Sequence, residues 1–447
     1  MPLSDLPREL LLGMADHIEN VGTKSSRKLY SLLNRCLYPP LTESRRWPRS
    51  SRLRGINRRI GAVAGRHSDP LPESFHIALR VAVDQEDTYL VKLLLKVDGI
   101  NPNFGGYSKS APLLLAAERG YGPIVELLLA MATIDPNVKD SQSVSPLLHA
   151  CAMGHVSIVK QLLARDDIDL NTLGFNGSMT PLIAACHQRD ARIVNLLLDK
   201  DGIDVNLYNI DRNTPLMIAT KMRLVPVVES LLARDDLDPN IVNSRGDSVL
   251  GESVSLGRTI VKLLLDRPNV DPNFVPGFGI NRTILMQACV AGDPEVVKLL
   301  LDREGVNINQ QDHIGYTALS LAALYNHSEA ARLLLDQDGI DPNLPNYLGQ
   351  TALFRACDRK LVSMVNLLIQ KDHVNPNCRD HFGFTPLAWA CLSNNVAIAR
   401  SLLSRDDTDP NPVNNNTGVS LLTQVIDNIN PRYGGEIESL LRDAGAE

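Results

Sequence analysis

Long apolar segments are missing from this chain. No stretch of the 447-residue sequence approaches the ~18 consecutive apolar residues that a membrane-spanning helix requires. Asp5 and Glu9 stand where a secretory signal would carry a basic segment followed by a longer apolar one. We therefore expect a protein that stays inside the cell, in the cytoplasm or the nucleus, and that does not associate with a membrane.

The short motifs that carry most catalytic and cofactor chemistry are also missing. The chain has no His-Glu-X-X-His, no Gly-X-Ser-X-Gly, no phosphate-binding P-loop and no dinucleotide-binding glycine pattern. Asp-Asp pairs such as Asp166-Asp167 and Asp406-Asp407 do occur. They recur with a sequence repeat, and this explains them better than a role as catalytic carboxylates does. We predict that the protein is not an enzyme and has no cofactor or metal site.

Cysteine pairs of the Cys-X-X-Cys type are absent, although the chain has seven cysteines. Most of them occupy one position of the repeat, where other copies carry Ala117 and Ala323. These cysteines are Cys151, Cys186, Cys289, Cys357 and Cys391. A cysteine that alternates with alanine is predicted to be a small buried hydrophobe with a reduced, unreactive thiol.

Positive charge is scarce after residue 72. Residues 1–72 carry 13 Lys and Arg against 6 Asp and Glu, whereas the remainder carries 32 against 45. This acidic body argues against nucleic acid as the main ligand. Residues 41–72 hold eight arginines among Pro and Ser, which is typical of a solvated linker; a nuclear-import or phosphate-contacting patch that includes Trp47 is the alternative.

A period of 33 to 36 residues runs through the chain from about residue 73. Asparagine closes a short turn at ten positions, seven of them in a Pro-Asn pair. These are Asn103, Asn137, Asn171, Asn206, Asn240, Asn273, Asn309, Asn343, Asn377 and Asn411. Because Pro fixes φ, and because Asn either bonds its neighbouring backbone or adopts a left-handed conformation, each position is predicted to be a turn.

Two helices are predicted between successive turns. Thr-Pro-Leu, as in Thr180-Pro181-Leu182, marks a helix start, because the hydroxyl caps free N–H groups and Pro suits the first helical position. A small pair and a polar or glycine break follow, and then a second helix that ends in leucines such as Leu196-Leu197-Leu198. The chain is therefore predicted to be all-α.

These features together resemble the ankyrin repeat, with eleven units over residues 73–447. The resemblance implies a solenoid of helix-turn-helix units in which stacked neighbours bury one another's leucines. Residues 243–285 depart most from the pattern, and we expect the stacking to be weakest there. The family also implies protein binding, with the turn tips and the first helices lining one concave face.

Exposed aromatic side chains are the predicted contacts with a target protein, because aromatic residues form only 4% of the chain and gather at the turn tips of its C-terminal half. The predicted residues are Phe278, His313, Tyr316, Tyr347, Phe382 and Phe384. The alternative is that they pack between neighbouring tips and stabilise the array.

Residues 1–40 resemble a second family and are predicted to form a small helical element. The stretch Leu6-Pro7-Arg8-Glu9-Leu10-Leu11 is similar to the opening helix of an F-box of the type that fungal proteins join to ankyrin repeats. An F-box implies docking on the Skp1-like adaptor of a cullin ubiquitin ligase, with Leu6, Pro7, Leu10 and Leu11 as the contacts. The chain would then be a substrate-recognition subunit. The alternative is a plain scaffold whose N-terminal helix packs on the solenoid.

Overall fold

The computed structural model describes residues 73–105, 110–275, 281–428 and 431–446. The F-box-like element, the arginine-rich segment 41–72 and Phe278 lie outside these residues. The chain divides into two compact units, Met1–Leu231 and Leu232–Glu447. The described residues of both units form paired helices, and no strand occurs in the four described ranges, so the all-α prediction is confirmed.

The described part of the first unit contains five helix pairs. They are α1 (Glu73–Asp84) and α2 (Thr88–Leu94), α3 (Pro112–Arg119) and α4 (Gly122–Leu129), α5 (Pro146–Met153) and α6 (Val156–Leu163), α7 (Pro181–His187) and α8 (Ala191–Leu198), and α9 (Pro215–Lys221) and α10 (Val225–Leu232). The unit boundary falls inside the last helix, one residue before its end.

The described part of the second unit contains six helix pairs. They are α11 (Val249–Val254) and α12 (Arg258–Leu265), α13 (Ile284–Ala291) and α14 (Pro294–Leu301), α15 (Ala318–Leu324) and α16 (Ser328–Leu335), α17 (Ala352–Asp358) and α18 (Val362–Ile369), α19 (Pro386–Leu392) and α20 (Val396–Leu403), and α21 (Leu421–Asn428) and α22 (Pro431–Asp443). Helix α11, in the segment that departs most from the repeat, is also the shortest of the six-pair set, with six residues.

Hydroxyl side chains begin the first helix of most pairs, as the sequence predicts. Thr180 Oγ1 accepts a hydrogen bond from the Ile183 N–H at 3.1 Å, and Pro181 follows at the first helical position. Thr385 caps α19 in the same way, through the Ala388 N–H. Each cap pairs one of the N–H groups that have no partner inside the helix, so the local sequence sets where these helices start.

Stacking of like helices forms the core of each unit. In the first unit α3 contacts α5 and α5 contacts α7, while α4 contacts α6 and α6 contacts α8; the second unit repeats this arrangement from α13 to α20. First helices are buried almost all round, and second helices bury one face, which in α6 consists of Ile158, Val159, Leu162 and Leu163. Each unit is therefore a solenoid of helix-turn-helix units, since neither helix buries its apolar side chains without its neighbours.

An unpaired hydroxyl in the core leads to a prediction. Thr220 lies at the repeat position that five cysteines occupy; it is fully buried, and its Oγ1 has no hydrogen-bond partner. Because an unsatisfied buried hydroxyl costs about 1–3 kcal/mol, we expect Thr220→Val, which keeps the shape, to stabilise the protein by about 1 kcal/mol. Thr214→Val is the matched control: it deletes the cap on the Met217 N–H and should destabilise by about 1 kcal/mol. Urea unfolding measures both, and a destabilising Thr220→Val would contradict the prediction.

The asparagines of the repeat connect successive loops. Asn137 Nδ2 donates to the Asp167 carbonyl at 2.7 Å, and its Oδ1 accepts from the Asp169 N–H at 2.7 Å, both in the next repeat. The same pair of bonds starts from Asn103, Asn171, Asn240, Asn273, Asn309, Asn343 and Asn377. The expectation that these side chains bond their own neighbouring backbone was wrong, and none of these eight has a positive φ. The local bond comes instead from the residue two places earlier, as when Asp135 Oδ1 accepts from the Asn137 N–H.

Candidate functional site

Tight turns precede the first helices of the second unit. In the turn 380–384, Asp380 Oδ1 accepts hydrogen bonds from the Phe382 N–H at 3.0 Å and the Phe384 N–H at 2.9 Å. Asp312 and Asn346 hold the turns 312–316 and 346–350 with the same two bonds. An Asp or Asn that bonds the backbone two and four residues ahead rigidifies each turn and fixes which side chains stand at its outer end.

Neighbouring turns are joined through their backbones. The Tyr347 N–H donates to the Ile314 carbonyl at 2.9 Å, and the His381 N–H donates to the Leu348 carbonyl at 2.9 Å. On the far side, Asn414 Nδ2 donates to the Phe382 carbonyl at 3.0 Å. The turns 312–316, 346–350 and 380–384 thus form one continuous row, which we call the tip row.

Large apolar side chains project into solvent from the tip row. Tyr347 is 66% exposed, Phe382 57%, Leu348 47% and Ile314 38%. His313 and His381 are exposed beside them. Both rings of Tyr347 and Phe382 remain largely in water. The Tyr347 ring also lies against Gly315 of the preceding tip, so exposure and packing between tips occur together at this residue.

The last residues of two of these turns, Tyr316 and Phe384, are less exposed than the residues at the tips. Phe384 is half-buried with its ring centroid 6.1 Å from that of Trp389, and Trp389 also lies 5.8 Å from the Phe354 ring. Tyr316 is half-buried with the Arg355 guanidinium 5.9 Å from its ring centroid. These residues connect the turns to the first helices α17 and α19, next to the tip row.

Hydrogen bonds hold Arg355 in place in this surface. Its Nη1 donates to Asp358 Oδ2 at 2.9 Å and to Gln350 Oε1 at 3.1 Å. The guanidinium side chain is only 14% exposed. A guanidinium that is held in one orientation beside the Tyr316 ring offers a planar, pre-oriented contact for a partner.

The structure divides the residues predicted from sequence into two groups. His313, Tyr347 and Phe382 stand exposed on the tip row, whereas Tyr316 and Phe384 are half-buried at its inner edge. Sequence reasoning missed Arg355 and Trp389, which complete the inner edge. The signal was weak: Trp389 is one of only two tryptophans, and it occupies the helix position that His149 occupies in an earlier repeat.

A small polar pocket marks the repeat that departs most from the pattern. Gly251 stands where α9 and α13 carry the buried side chains of Met217 and Met286. A pocket of about 350 Å³ beside it is lined mainly by polar groups, including Asp247 and Glu252. The sequence departure between 243 and 285 therefore corresponds to a missing apolar side chain at this position.

Burial changes the acidity of the repeated cysteines. It raises the pKa of the Cys186 and Cys289 thiols from 9.0 to about 12, and it raises the pKa of Cys151 and Cys357 as well. All four side chains lie in the core. Across the part of the chain that the structure describes, no three His, Cys, Asp or Glu side chains form a group that could hold a metal ion.

These buried thiols predict alkaline destabilisation. The unfolded chain releases thiol protons near pH 9, whereas Cys186 in the folded chain releases its proton only near 12, so stability falls as the pH rises between these values. Each such cysteine is expected to contribute a slope of about 1.4 kcal/mol per pH unit in this window. Urea unfolding from pH 8 to 11 measures it. Cys186→Ala should reduce the slope, and an identical slope in that variant would refute the assignment.

A family model decides what kind of chain this is. The model described as "Ankyrin repeats (3 copies)" matches residues 75–174, 147–243, 250–346 and 343–414. The chain belongs to the ankyrin-repeat family. Ankyrin repeats indicate a protein–protein interaction scaffold, and proteins built from them are generally not enzymes. Among the described residues, no helix has both the length and the apolar character needed to cross a membrane.

Solved ankyrin-repeat structures are similar to parts of the chain. The ankyrin repeat domain of Bcl-3 is 26% identical with a TM-score of 0.45, and the match covers 51% of this chain and 98% of that domain. The ankyrin repeat protein EF0377 is 28% identical with a TM-score of 0.40, covering 43% and 97%. The human ASB11 ankyrin repeat domain is 29% identical with a TM-score of 0.39, covering 52% and 99%. No curated protein matches the sequence significantly.

Proposed function

We propose that this ankyrin-repeat protein binds a target protein through the tip row and the adjoining first helices of its second unit, the face that the family resemblance describes as concave. The observation that carries the proposal is the row of exposed apolar side chains, above all Tyr347 and Phe382, in a chain with so few aromatic residues. Large rings that are exposed next to one another are typical of binding hot spots.

Rigidity of the row favours tight binding. The side chains of Asp312, Asn346 and Asp380 hold the turns, and backbone bonds join one turn to the next. A partner that covers the row therefore immobilises few additional rotatable bonds of this protein, which reduces the conformational entropy lost on association. The inner edge, with Arg355 over Tyr316 and Phe384 against Trp389, extends the same surface with a cation and three further rings.

Alanine substitution on the tip row tests the proposal. Tyr347→Ala combined with Phe382→Ala should weaken target binding at least 10-fold, because removal of a hot-spot ring costs about 2 kcal/mol or more. Targets are first captured from cell extract on the full chain, and the affinity of each is then measured by titration. Ile210→Ala is the matched control, since Ile210 is an apolar tip residue, 68% exposed, in the other unit. Equal affinity of the double variant and the natural chain would remove the tip row from the binding site.

For residues 1–40 we propose docking on a Skp1-like adaptor, which would make the chain the substrate-recognition subunit of a cullin-type ubiquitin ligase. Leu6, Pro7, Leu10 and Leu11 support this proposal, because they match the opening positions of an F-box. Such a protein would act in the cytoplasm or the nucleus. The competing proposal is a plain ankyrin scaffold without an adaptor.

Co-purification separates the two proposals. The full chain should retain a Skp1-like adaptor, and a chain in which Leu6, Leu10 and Leu11 are replaced by Ala should lose it while it keeps the target. A natural chain that captures targets without any adaptor would favour the plain scaffold.

A further inference from the structure

A polar residue follows every second helix from α6 to α20 by two positions. These residues are Arg165, Lys200, Arg234, Arg267, Arg303, Gln337, Lys371 and Arg405. Their side chains are long and, with the exception of Gln337, cationic. At the corresponding position of the repeat, three residues after the end of α2 and two after the end of α4, the first two repeats carry Val97 and Met131 instead.

Arginine at this position bridges two repeats. Arg165 Nη1 donates to the Leu129 carbonyl at 3.3 Å, where the second helix of the preceding repeat ends. Arg405 Nη1 donates to the carbonyls of Ile369 at 3.1 Å and Lys371 at 3.0 Å. The last carbonyls of a helix have no partner inside it and lie at the negative end of its dipole, so they favour a guanidinium.

At the junction between the first two repeats, the carbonyl acceptors are present, but the repeat position that supplies the arginine donor elsewhere is apolar. The carbonyls of Leu95 and Val97 correspond to those of Ile369 and Lys371, while Met131, an apolar residue, corresponds to Arg405. An open groove of about 460 Å³ lies here, lined by residues 95–102 together with Met131 and Thr133. The lining includes one carboxylate, that of Asp98, and one ammonium group, that of Lys96.

The groove loop contacts the first turn of α1, the helix that follows the arginine-rich segment in the sequence. The Asn101 N–H, in the groove loop, donates to Nδ1 of His76 at 3.1 Å, and His76 is in the first turn of α1. Residues 41–72 end at that turn. Arg66 precedes Glu73 by seven residues, and an extended chain of that length spans up to about 24 Å.

We propose that an arginine side chain of residues 41–72, with Arg66 the nearest, occupies the groove between the first two repeats. Its guanidinium donates to the carbonyls of Leu95 and Val97, as Arg405 does to Ile369 and Lys371 at its own junction. The charge of the solenoid as a whole supports this occupant, because eight arginines precede a body in which acidic residues outnumber basic ones by 45 to 32. The contact ties the segment that leads to the F-box-like element to the first unit.

Hydrogen exchange on the full chain tests the occupant. Replacing all eight arginines of 41–72 by Gln should speed exchange of the amides in 95–102 about 10-fold or more, while the loop 163–170, which has Arg165, stays unchanged. Replacing Lys24, Arg27, Lys28 and Arg35 by Gln is the control and should have no effect. Unchanged exchange in the eight-Gln chain would overturn the proposal. Protection that rises with protein concentration would overturn it too, since the arginine would then come from a second copy.

A substitution in the groove supplies an independent readout. Met131→Arg places a guanidinium where Arg165 and Arg405 have theirs, so it competes with the segment. The gain in thermal midpoint should therefore be at least twofold larger in the eight-Gln chain than in the natural chain. Equal gains in the two backgrounds would mean that the groove of the natural chain is unoccupied by the segment.

Discussion

Replacing Gly349 by alanine is expected to destabilise the second unit by about 2–5 kcal/mol, the largest effect of any single methyl group that we predict. Gly349 has a φ of +80°, where a side chain costs about 1–2 kcal/mol. A Cβ there would also lie 2.8 Å from the His381 nitrogen and 2.9 Å from the Asp380 Cα. Because both atoms belong to the backbone of the next tip, the two neighbouring turns have to move apart to make room for the methyl group.

Gly339 is the matched control for this substitution. Its φ is +81°, but no atom lies within 4 Å of an added Cβ. Gly339→Ala should therefore lose only the conformational part, about 1–2 kcal/mol. Chemical unfolding of both variants gives the difference, which we assign to the contact between tips. Equal losses in the two variants would show that the tips are not in contact at Gly349.

Replacing Asn343 by alanine is expected to cost about 1–3 kcal/mol, since two hydrogen bonds between repeats are lost. Asn343 Nδ2 donates to the His373 carbonyl at 2.8 Å, and its Oδ1 accepts from the Asn375 N–H at 2.8 Å. Alanine leaves this N–H and this carbonyl to water alone. The measurement is the midpoint of urea unfolding, together with exchange of the Asn375 amide, which should become faster.

Asn343→Asp distinguishes the two bonds. Aspartate keeps an oxygen for the Asn375 N–H but turns the donor toward the His373 carbonyl into a second oxygen. This variant should therefore protect the Asn375 amide nearly as well as asparagine does while it still lowers stability. If Asn343→Ala unfolds at the same urea concentration as the natural chain, the asparagines do not hold the repeats together.

The surface that we propose for target binding was predictable in part from composition and spacing. The sequence indicates which turns carry aromatic residues, because the repeat assigns Tyr347 and Phe382 to turn tips. It does not separate them from Tyr316 and Phe384, which are the last residues of the same kind of turn and are half-buried. The difference depends on Arg355 and Trp389, which only the folded first helices bring against those rings.

Local chemistry was enough to determine the helix pairs of this protein. A cap such as Thr180, a proline such as Pro181 and the spacing of apolar residues act within one turn of helix, so their effect is visible in the sequence. The tertiary structure alone decided the partners of Asn343 and Arg405, which bond residues about 30 to 36 positions away in a neighbouring repeat. The same applies to the groove beside Met131, because its walls come from two repeats and neither one reveals it alone.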